Sequence, residues 1–154
     1  MSPLIRWLTV LLLAIPVLFM AMSASGAYFL ALPALLLMVI YAWVWLRFRP
    51  TTFIVYANSL EVIWPLKRRR IPREEITAVR QVDGEELTRE IGWGTRVGAG
   101  GLWGGFGLLW TRRRGMVQMY ISRTDGYVWI ERGTKRPWLL TPMRPDEFIY
   151  ALKE

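Results

Sequence analysis

The sequence predicts an α+β membrane protein, in which an N-terminal transmembrane helical hairpin precedes a mainly antiparallel β domain with a C-terminal helix. Residues 7–46 contain no charged side chain, whereas nineteen of the twenty Lys and Arg and all twelve Asp and Glu follow residue 46. Short apolar runs separated by polar turns then continue to about residue 141, as expected of close-spaced strands. The last segment has a helical pattern instead.

The uncharged stretch is long enough for two membrane crossings, because each helix needs about 20 apolar residues. A small and polar segment at residues 22–26 divides it. We therefore expect spans at about residues 4–22 and 27–46, within a hairpin of residues 1–49 that precedes a domain of residues 50–154. Pro16 and Pro33 each remove one helical hydrogen bond, which a membrane helix tolerates when a neighbour satisfies the freed carbonyl.

Cations mark the outer ends of the predicted hairpin. Arg6 lies at the beginning of the first span, Arg47 and Arg49 follow the second, and the connecting loop has no charge. The positive-inside tendency therefore predicts that both termini are cytoplasmic. The alternative is a cleaved signal peptide with residues 21–23 as its small-residue cleavage site, which would leave a single span.

The residue types present exclude most catalytic chemistries. The chain has no Cys and no His, so thiolate nucleophiles, Ser-His triads, imidazole acid–base catalysis and the usual zinc sites are excluded. The adjacent acids Glu74 and Glu75, and likewise Glu85 and Glu86, are interpreted as solvated surface. The Gly-rich stretch at residues 92–107 lacks the spacings that bind phosphate. We expect no enzymatic activity, no catalytic residue, no cofactor and no metal site.

About a hundred residues follow the second span, enough for one domain with its own core. Residues 53–56 and 60–64 alternate as strands around a short turn at residues 57–59, which predicts a hairpin. A third strand is expected at residues 76–82, after a turn or single helical turn at residues 71–75. Four further strands are expected at residues 108–111, 116–122, 127–131 and 138–141.

The chain ends in a predicted helix at residues 145–152. Pro145 suits a first helical position, Asp146 and Glu147 suit the helix dipole, and Phe148 and Leu152 are four residues apart. Around seven antiparallel strands followed by a capping helix predict a partly open barrel or two packed sheets.

Several motifs in the β domain occur in an order that resembles the bacterial pleckstrin-homology (PH-like) domain proteins, many of which carry N-terminal membrane spans. The motifs are the opening hairpin and residues 71–76, 104–107, 115–120 and 141–148. The resemblance covers roughly residues 50–153 and implies a seven-stranded bent sandwich, a C-terminal helix, a bacterial inner-membrane location and a non-enzymatic role. Phosphoinositide binding is not expected, because the first hairpin loop lacks the cations usual in eukaryotic PH domains.

Two basic clusters in predicted turns are the candidate sites for anionic lipid headgroups. A cation close to an anionic leaflet gains about 1 kcal/mol, and the effect fades within about a Debye length. The same charges serve topology and solubility alone in many membrane proteins. The first basic cluster is Lys67, Arg68, Arg69 and Arg70, and the second basic cluster is Arg112, Arg113 and Arg114.

A Gly-rich loop is a second candidate for membrane contact. Trp93, Leu102 and Trp103 lie in a segment without acids, and Trp prefers the membrane–water interface. Trp103, Phe106 and Trp110 could instead imitate a base-stacking surface for nucleic acid. Apolar residues that alternate along a strand are normally buried, however, so a nucleic-acid partner is not expected.

Two functions remain open from the sequence. The first is a non-enzymatic, membrane-anchored adaptor or scaffold that binds a protein partner, and anionic lipid headgroups, at the cytoplasmic face. The alternative is an accessory subunit of a larger membrane complex, with the helical hairpin as its main contact.

Overall fold

The computed structural model describes residues 2–50 and 52–154. Helices cover the N-terminal part, and strands dominate the rest. The elements, apart from two single-turn 3₁₀ helices at Tyr28–Leu30 and Arg73–Glu75, are α1 (Pro3–Ala24), α2 (Ala31–Arg47), β1 (Thr52–Tyr56), β2 (Ser59–Trp64), β3 (Lys67–Pro72), β4 (Ala78–Val82), α3 (Gly84–Ile91), β5 (Gly94–Gly100), β6 (Gly105–Thr111), β7 (Gly115–Ile121), β8 (Tyr127–Arg132), β9 (Lys135–Leu140) and α4 (Pro145–Lys153).

The two N-terminal helices are long and apolar enough to cross a membrane. Helix α1 has 22 residues, and the helical segment Tyr28–Arg47 has 20. At about 1.5 Å per residue, each matches a hydrocarbon core about 30 Å thick. The chain reverses at Ser25 and Gly26, within the predicted break, where Gly26 has a φ of 114° that favours glycine. The opposite end of the pair, where α1 begins and α2 ends, is called the open end below.

One narrow seam holds the helices together. Buried or half-buried residues recur at alternating spacings of three and four, which is typical of antiparallel helices packed at a small angle. The outer faces carry large apolar side chains that are mostly exposed, including Trp7 at 75%, Phe29 at 77% and Leu32 at 76%. Such a surface needs an apolar solvent or partner. The seam comprises Ser2, Ile5, Thr9, Leu12, Pro16, Phe19 and Ser23 from the N-terminal side, and Ala34, Leu37, Tyr41 and Val44 from α2.

The proline inside α1 is compensated by the neighbouring helix. Pro16 has no N–H, so the carbonyl of Leu12 lacks its usual helical donor. The hydroxyl of Tyr41 in α2 donates to that carbonyl at 3.1 Å. Pro33 lies in the first turn of α2, where a proline displaces no helical bond.

The strands form an open sandwich of two sheets rather than a closed barrel. One sheet has the order β1-β2-β3, and the other has the order β4-β8-β9-β7-β6-β5. All neighbours are antiparallel except β7 and β9, which are parallel. The main core lies between the sheets and under α4, and it includes Trp64, Phe106, Tyr120 and Trp138. Burial raises the pKa of Tyr120 to about 12, so its phenol is neutral at physiological pH.

Helix α3 covers the other face of the six-stranded sheet. Its N-cap is Asp83, whose carboxylate accepts from the N–H of Glu86 at 2.6 Å, and Leu87 packs with Trp129 in a second core cluster. Glu90 forms ion pairs with Arg80 of β4 and with Arg114. Although partial burial raises it, the hydrogen bonds and charges of these arginines hold the pKa of Glu90 below its ordinary value.

The structure corrects several sequence predictions while confirming the two-helix hairpin, the sandwich and the C-terminal helix. The described residues contain nine strands, because β3 and β5 were missed, and α3 was missed as well. The first basic cluster was predicted in a turn and lies on β3, since β2 turns back at Pro65 and Leu66. Glu75 is not free surface but pairs with Arg132 at 2.5 Å and Lys135 at 2.6 Å.

The compensation of Pro16 predicts a measurable coupling between the two helices. Tyr41→Phe should lower the free energy of unfolding of the full-length protein in mild detergent by about 0.6 kcal/mol, typical of an interhelical hydrogen bond. In a Pro16→Ala background the same change should be nearly neutral, because a new N–H at position 16 then reaches Leu12. Tyr28→Phe, at a position 78% exposed, is the matched control. An equal loss in both backgrounds would contradict this role for Tyr41.

The Glu90 ion pairs predict a pH-dependent stability. Because the folded protein lowers the pKa of Glu90, its stabilising contribution is complete above the unfolded pKa of about 4.3 and is lost as pH falls through the lowered value. Glu90→Gln should therefore cost about 1–2 kcal/mol at pH 7 and little near pH 3. Thermal melts in detergent measure this, with the exposed Glu85→Gln on the same helix as control. A cost that is independent of pH would contradict the ion-pair explanation.

Candidate membrane-facing surface and cleft

The β domain contacts the open end of the hairpin through two hairpin tips. At the first tip, between β2 and β3, the indole N–H of Trp64 donates to the carbonyl of Phe48, just beyond α2, at 3.1 Å. Partial burial, followed by repulsion from Arg47 and Arg69, lowers the pKa of Lys67. Leu66 is 62% exposed at this tip. The first basic cluster therefore begins beside the end of α2.

The second tip is the Trp103 loop (residues 101–104) between β5 and β6. The backbone N–H of Trp103 donates to the hydroxyl of Thr9 in α1 at 2.9 Å, and its ring packs edge-on against Trp45 of α2 at 4.7 Å. Trp103 has a φ of 57°, a left-handed conformation that costs a non-glycine residue about 1–2 kcal/mol. Trp103, whose backbone is strained, thus contacts both helices of the hairpin.

The first basic cluster lies on an edge strand, with all four side chains exposed. Three of its cations lie over aromatic rings: Lys67 over Trp64 at 4.6 Å, Arg69 over Trp138 at 5.2 Å, and Arg70 over Tyr56 at 5.9 Å. Among the described residues, none of the four forms an ion pair with a carboxylate. Their positive charge is therefore available to an anionic partner.

The second basic cluster occupies the predicted turn, between β6 and β7, and is partly used within the domain. Arg113 donates to the carbonyl of Arg89 near the end of α3, and Arg114 pairs with Glu90 and, at 3.6 Å, with Glu131. Seven residues of β6 separate this turn from the Trp103 loop, which is about 20 Å along an extended strand. The first basic cluster lies on the three-stranded sheet, whereas the second basic cluster lies in a turn of the six-stranded sheet.

The three candidate interfacial residues are also divided. Leu102 is buried and Trp103 is half-buried against the hairpin. Trp93 is 69% exposed at the other end of β5, where its ring lies 6.3 Å from that of Trp110. Strand β5 separates them, so they do not share one loop. Phe106 is a core residue. Trp103, Phe106 and Trp110 therefore do not form one continuous surface on which bases could stack.

A cleft of about 1140 Å³ opens between the open end of the hairpin and the β domain. Arg49, Arg123 and Arg144 line it, together with Ser2 and the aromatic residue Phe53. Two of these arginines are neutralised locally, since Arg123 binds Asp125 through both carboxylate oxygens, at 3.0 and 2.9 Å, and Arg144 binds Glu147 at 3.0 Å. Arg49 lies over the Trp45 ring at 4.1 Å.

Sequence reasoning did not find this cleft, because separate segments of the chain build it. Its walls come from the start of α1, the linker after α2, the turn that follows β7, and the segment that enters α4. No local spacing links these segments. Within the described ranges, no group of three or more acidic side chains could hold a metal ion.

The comparison with known proteins agrees with the fold. The profile of a family described as bacterial PH domain matches residues 51–154. No curated protein and no solved structure matches the chain. The profile spans the whole β sandwich and α4, which is more than half of the 154 residues. The chain therefore belongs to the bacterial PH domain family.

Proposed function

We propose that this protein is a non-enzymatic, membrane-anchored adaptor of the bacterial inner membrane. In this proposal both ends of the helical hairpin are cytoplasmic, and residues 50–154 form a domain that lies on the cytoplasmic face. The domain binds a protein partner, and the first basic cluster binds anionic lipid headgroups. PH domains in general bind proteins or lipids and are not catalytic, which supports a binding role.

The main support for this proposal is that the β domain contacts the open end of the hairpin through the Trp103 loop. The contacts of Trp103 with Thr9 and Trp45 join the domain to both helices. Thr9 is six residues inside α1, or about 9 Å along its axis. The loop thus reaches the depth at which Trp is favoured in membranes. Such a contact keeps the domain at the surface rather than at the end of a flexible tether.

The first basic cluster is the better placed of the two for lipid headgroups. Lys67 lies beside Arg47 at the end of α2, and unpaired exposed cations follow it along β3. The second basic cluster contributes less in this proposal, because Arg113 and Arg114 bind groups of the domain. It also lies more than a Debye length of about 10 Å from the Trp103 loop along β6.

A protein partner has an open sheet edge available. Strand β5 forms one edge of the six-stranded sheet, and its Thr95, Arg96 and Val97 are exposed. An extended peptide can add to such an edge through backbone hydrogen bonds. We propose this edge as the site for the protein partner.

The exposed helix faces favour a second candidate function, an accessory subunit held in a larger complex by its hairpin. Outside the seam, α1 and α2 present large apolar side chains that either lipid or partner helices would cover. In that case the helices alone retain the partner, whereas an adaptor requires its PH domain.

Purification from native membranes in mild detergent, with mass spectrometry of proteins and lipids, tests the adaptor function. We expect a protein partner and an excess of anionic lipid over the bulk membrane. The double variant Lys67→Gln/Arg68→Gln should reduce that excess about thirtyfold, since each cation contributes about 1 kcal/mol and the two together contribute about 2 kcal/mol. Arg112→Gln/Arg136→Gln removes equal charge from exposed positions as a control. Equal loss in both variants, or a partner that residues 1–49 retain alone, would contradict the adaptor function.

The two tryptophans at opposite ends of β5 should report different environments in proteoliposomes. Trp103→Phe should remove emission that brominated lipid quenches, because the loop lies against the hairpin. Trp93→Phe should instead remove emission that aqueous iodide quenches. Difference spectra between each variant and the unmodified protein measure this. Equal accessibility of the two side chains to both quenchers would remove support for the membrane contact of the Trp103 loop.

A further inference from the structure

The cleft at the open end of the hairpin combines three features that favour an anion. Helix α1 begins there at Pro3, and its dipole produces partial positive charge at this end. Arg49 extends from the linker that follows α2. Ser2 borders the cleft as well and is only 9% exposed. Its buried hydroxyl has no hydrogen-bond partner among the described residues.

Arg49 is the cation of this cleft that lacks a counter-charge. Among residues 2–50 and 52–154 its guanidinium forms no ion pair, whereas Arg123 and Arg144 have Asp125 and Glu147. Partial burial lowers the pKa of Arg49, yet an arginine stays charged at any physiological pH. A partly desolvated, unpaired guanidinium and an unsatisfied hydroxyl in one cleft are costly unless a ligand satisfies them.

We propose that this cleft binds the phosphate group of an anionic phospholipid, held by the Arg49 guanidinium and the Ser2 hydroxyl at the N-terminal end of α1. The cleft lies where both membrane helices end, which is the headgroup level of the leaflet. Its volume of about 1140 Å³ accommodates a headgroup, since ligand sites measure about 300–1000 Å³. The apolar side chains of Phe53 and Phe148 line the same cleft and suit the glycerol region of a lipid.

This inference rests on the proposed membrane anchoring, and it concerns a site separate from the first basic cluster. The shared chemistry is a phosphate-bearing anion, which a lipid or the cytosol can supply. The probes are therefore phosphatidylglycerol, phosphatidylcholine and inorganic phosphate at constant ionic strength. Native mass spectrometry of the full-length protein in neutral detergent measures the affinity for each.

Arg49→Gln should weaken phosphatidylglycerol binding about tenfold, as expected for loss of a charged hydrogen bond. Arg47→Gln is the matched control, because Arg47 ends α2 and does not line the cleft. Ser2→Ala should also weaken binding, while leaving the melting temperature without lipid unchanged or higher, since it removes an unsatisfied hydroxyl. Tight binding of inorganic phosphate, lost in Arg49→Gln, would assign the site to a soluble phosphate instead of a lipid.

The inference is overturned if Arg49→Gln and Arg47→Gln bind phosphatidylglycerol equally, or if phosphatidylcholine binds as tightly as phosphatidylglycerol. Alkaline carbonate extraction of cell membranes separates this failure from failure of the proposed function. If the protein stays in the membrane while the two variants bind lipid equally, only the proposed lipid site in the cleft is rejected. Protein that carbonate extracts has no membrane anchor, and both proposals then fail.

Discussion

The exposed apolar surface of the helical hairpin is the constraint on which the rest of the structure depends. Helices α1 and α2 bury one seam against each other and leave side chains such as Trp7, Phe29 and Leu32 uncovered. In water this surface would be strongly unfavourable, whereas a bilayer solvates it at no cost. In a bilayer every backbone group would have to be satisfied internally, and the bond from Tyr41 to the carbonyl that Pro16 leaves free meets this requirement.

The open end of the hairpin then determines where the PH domain lies. Thr9, Trp45 and Phe48 each contact the domain, through Trp103 and Trp64. These contacts orient two different hairpin tips toward the level at which the helices begin and end. The exposed cations of β3 and the cleft at Arg49 are neighbours of this junction, whereas the turn at Arg112 lies a full strand away. In the proposed function, the basic residues close to the leaflet are therefore the ones that bind lipid headgroups.

Local patterns in the sequence were sufficient for the hairpin, for most strands and for α4. They failed where tertiary context overrides local chemistry. Strand β3 was missed because four consecutive cations look like a solvated turn, although as an edge strand they need no apolar alternation. Helix α3 had a signal in Asp83 and Glu86, a capping pair followed by Leu87 and Ile91, but its acidic residues were interpreted only as solvated surface.

Strand β5 and the cleft could not be predicted from local sequence patterns, for different reasons. The glycines of β5 weaken any strand pattern, and they are needed because a side chain at Gly98 would collide with the β6 backbone. The cleft joins segments more than 100 residues apart, from Ser2 to Arg144, so only the folded chain brings them together. Runs such as residues 128–130 and 138–140 were recognised as strands, yet burial on both faces became clear only once α3 was located.

The most direct test of the account is the location of the PH domain relative to the membrane. The chain has no cysteine, so Ser25→Cys, in the turn between the helices, and Asn58→Cys, in the first turn of the domain, can be probed one at a time with a membrane-impermeant maleimide. If the PH domain is cytoplasmic, as proposed, intact bacterial cells label Ser25→Cys, whereas Asn58→Cys reacts only after permeabilisation. Labelling of Asn58→Cys in intact cells would contradict this location.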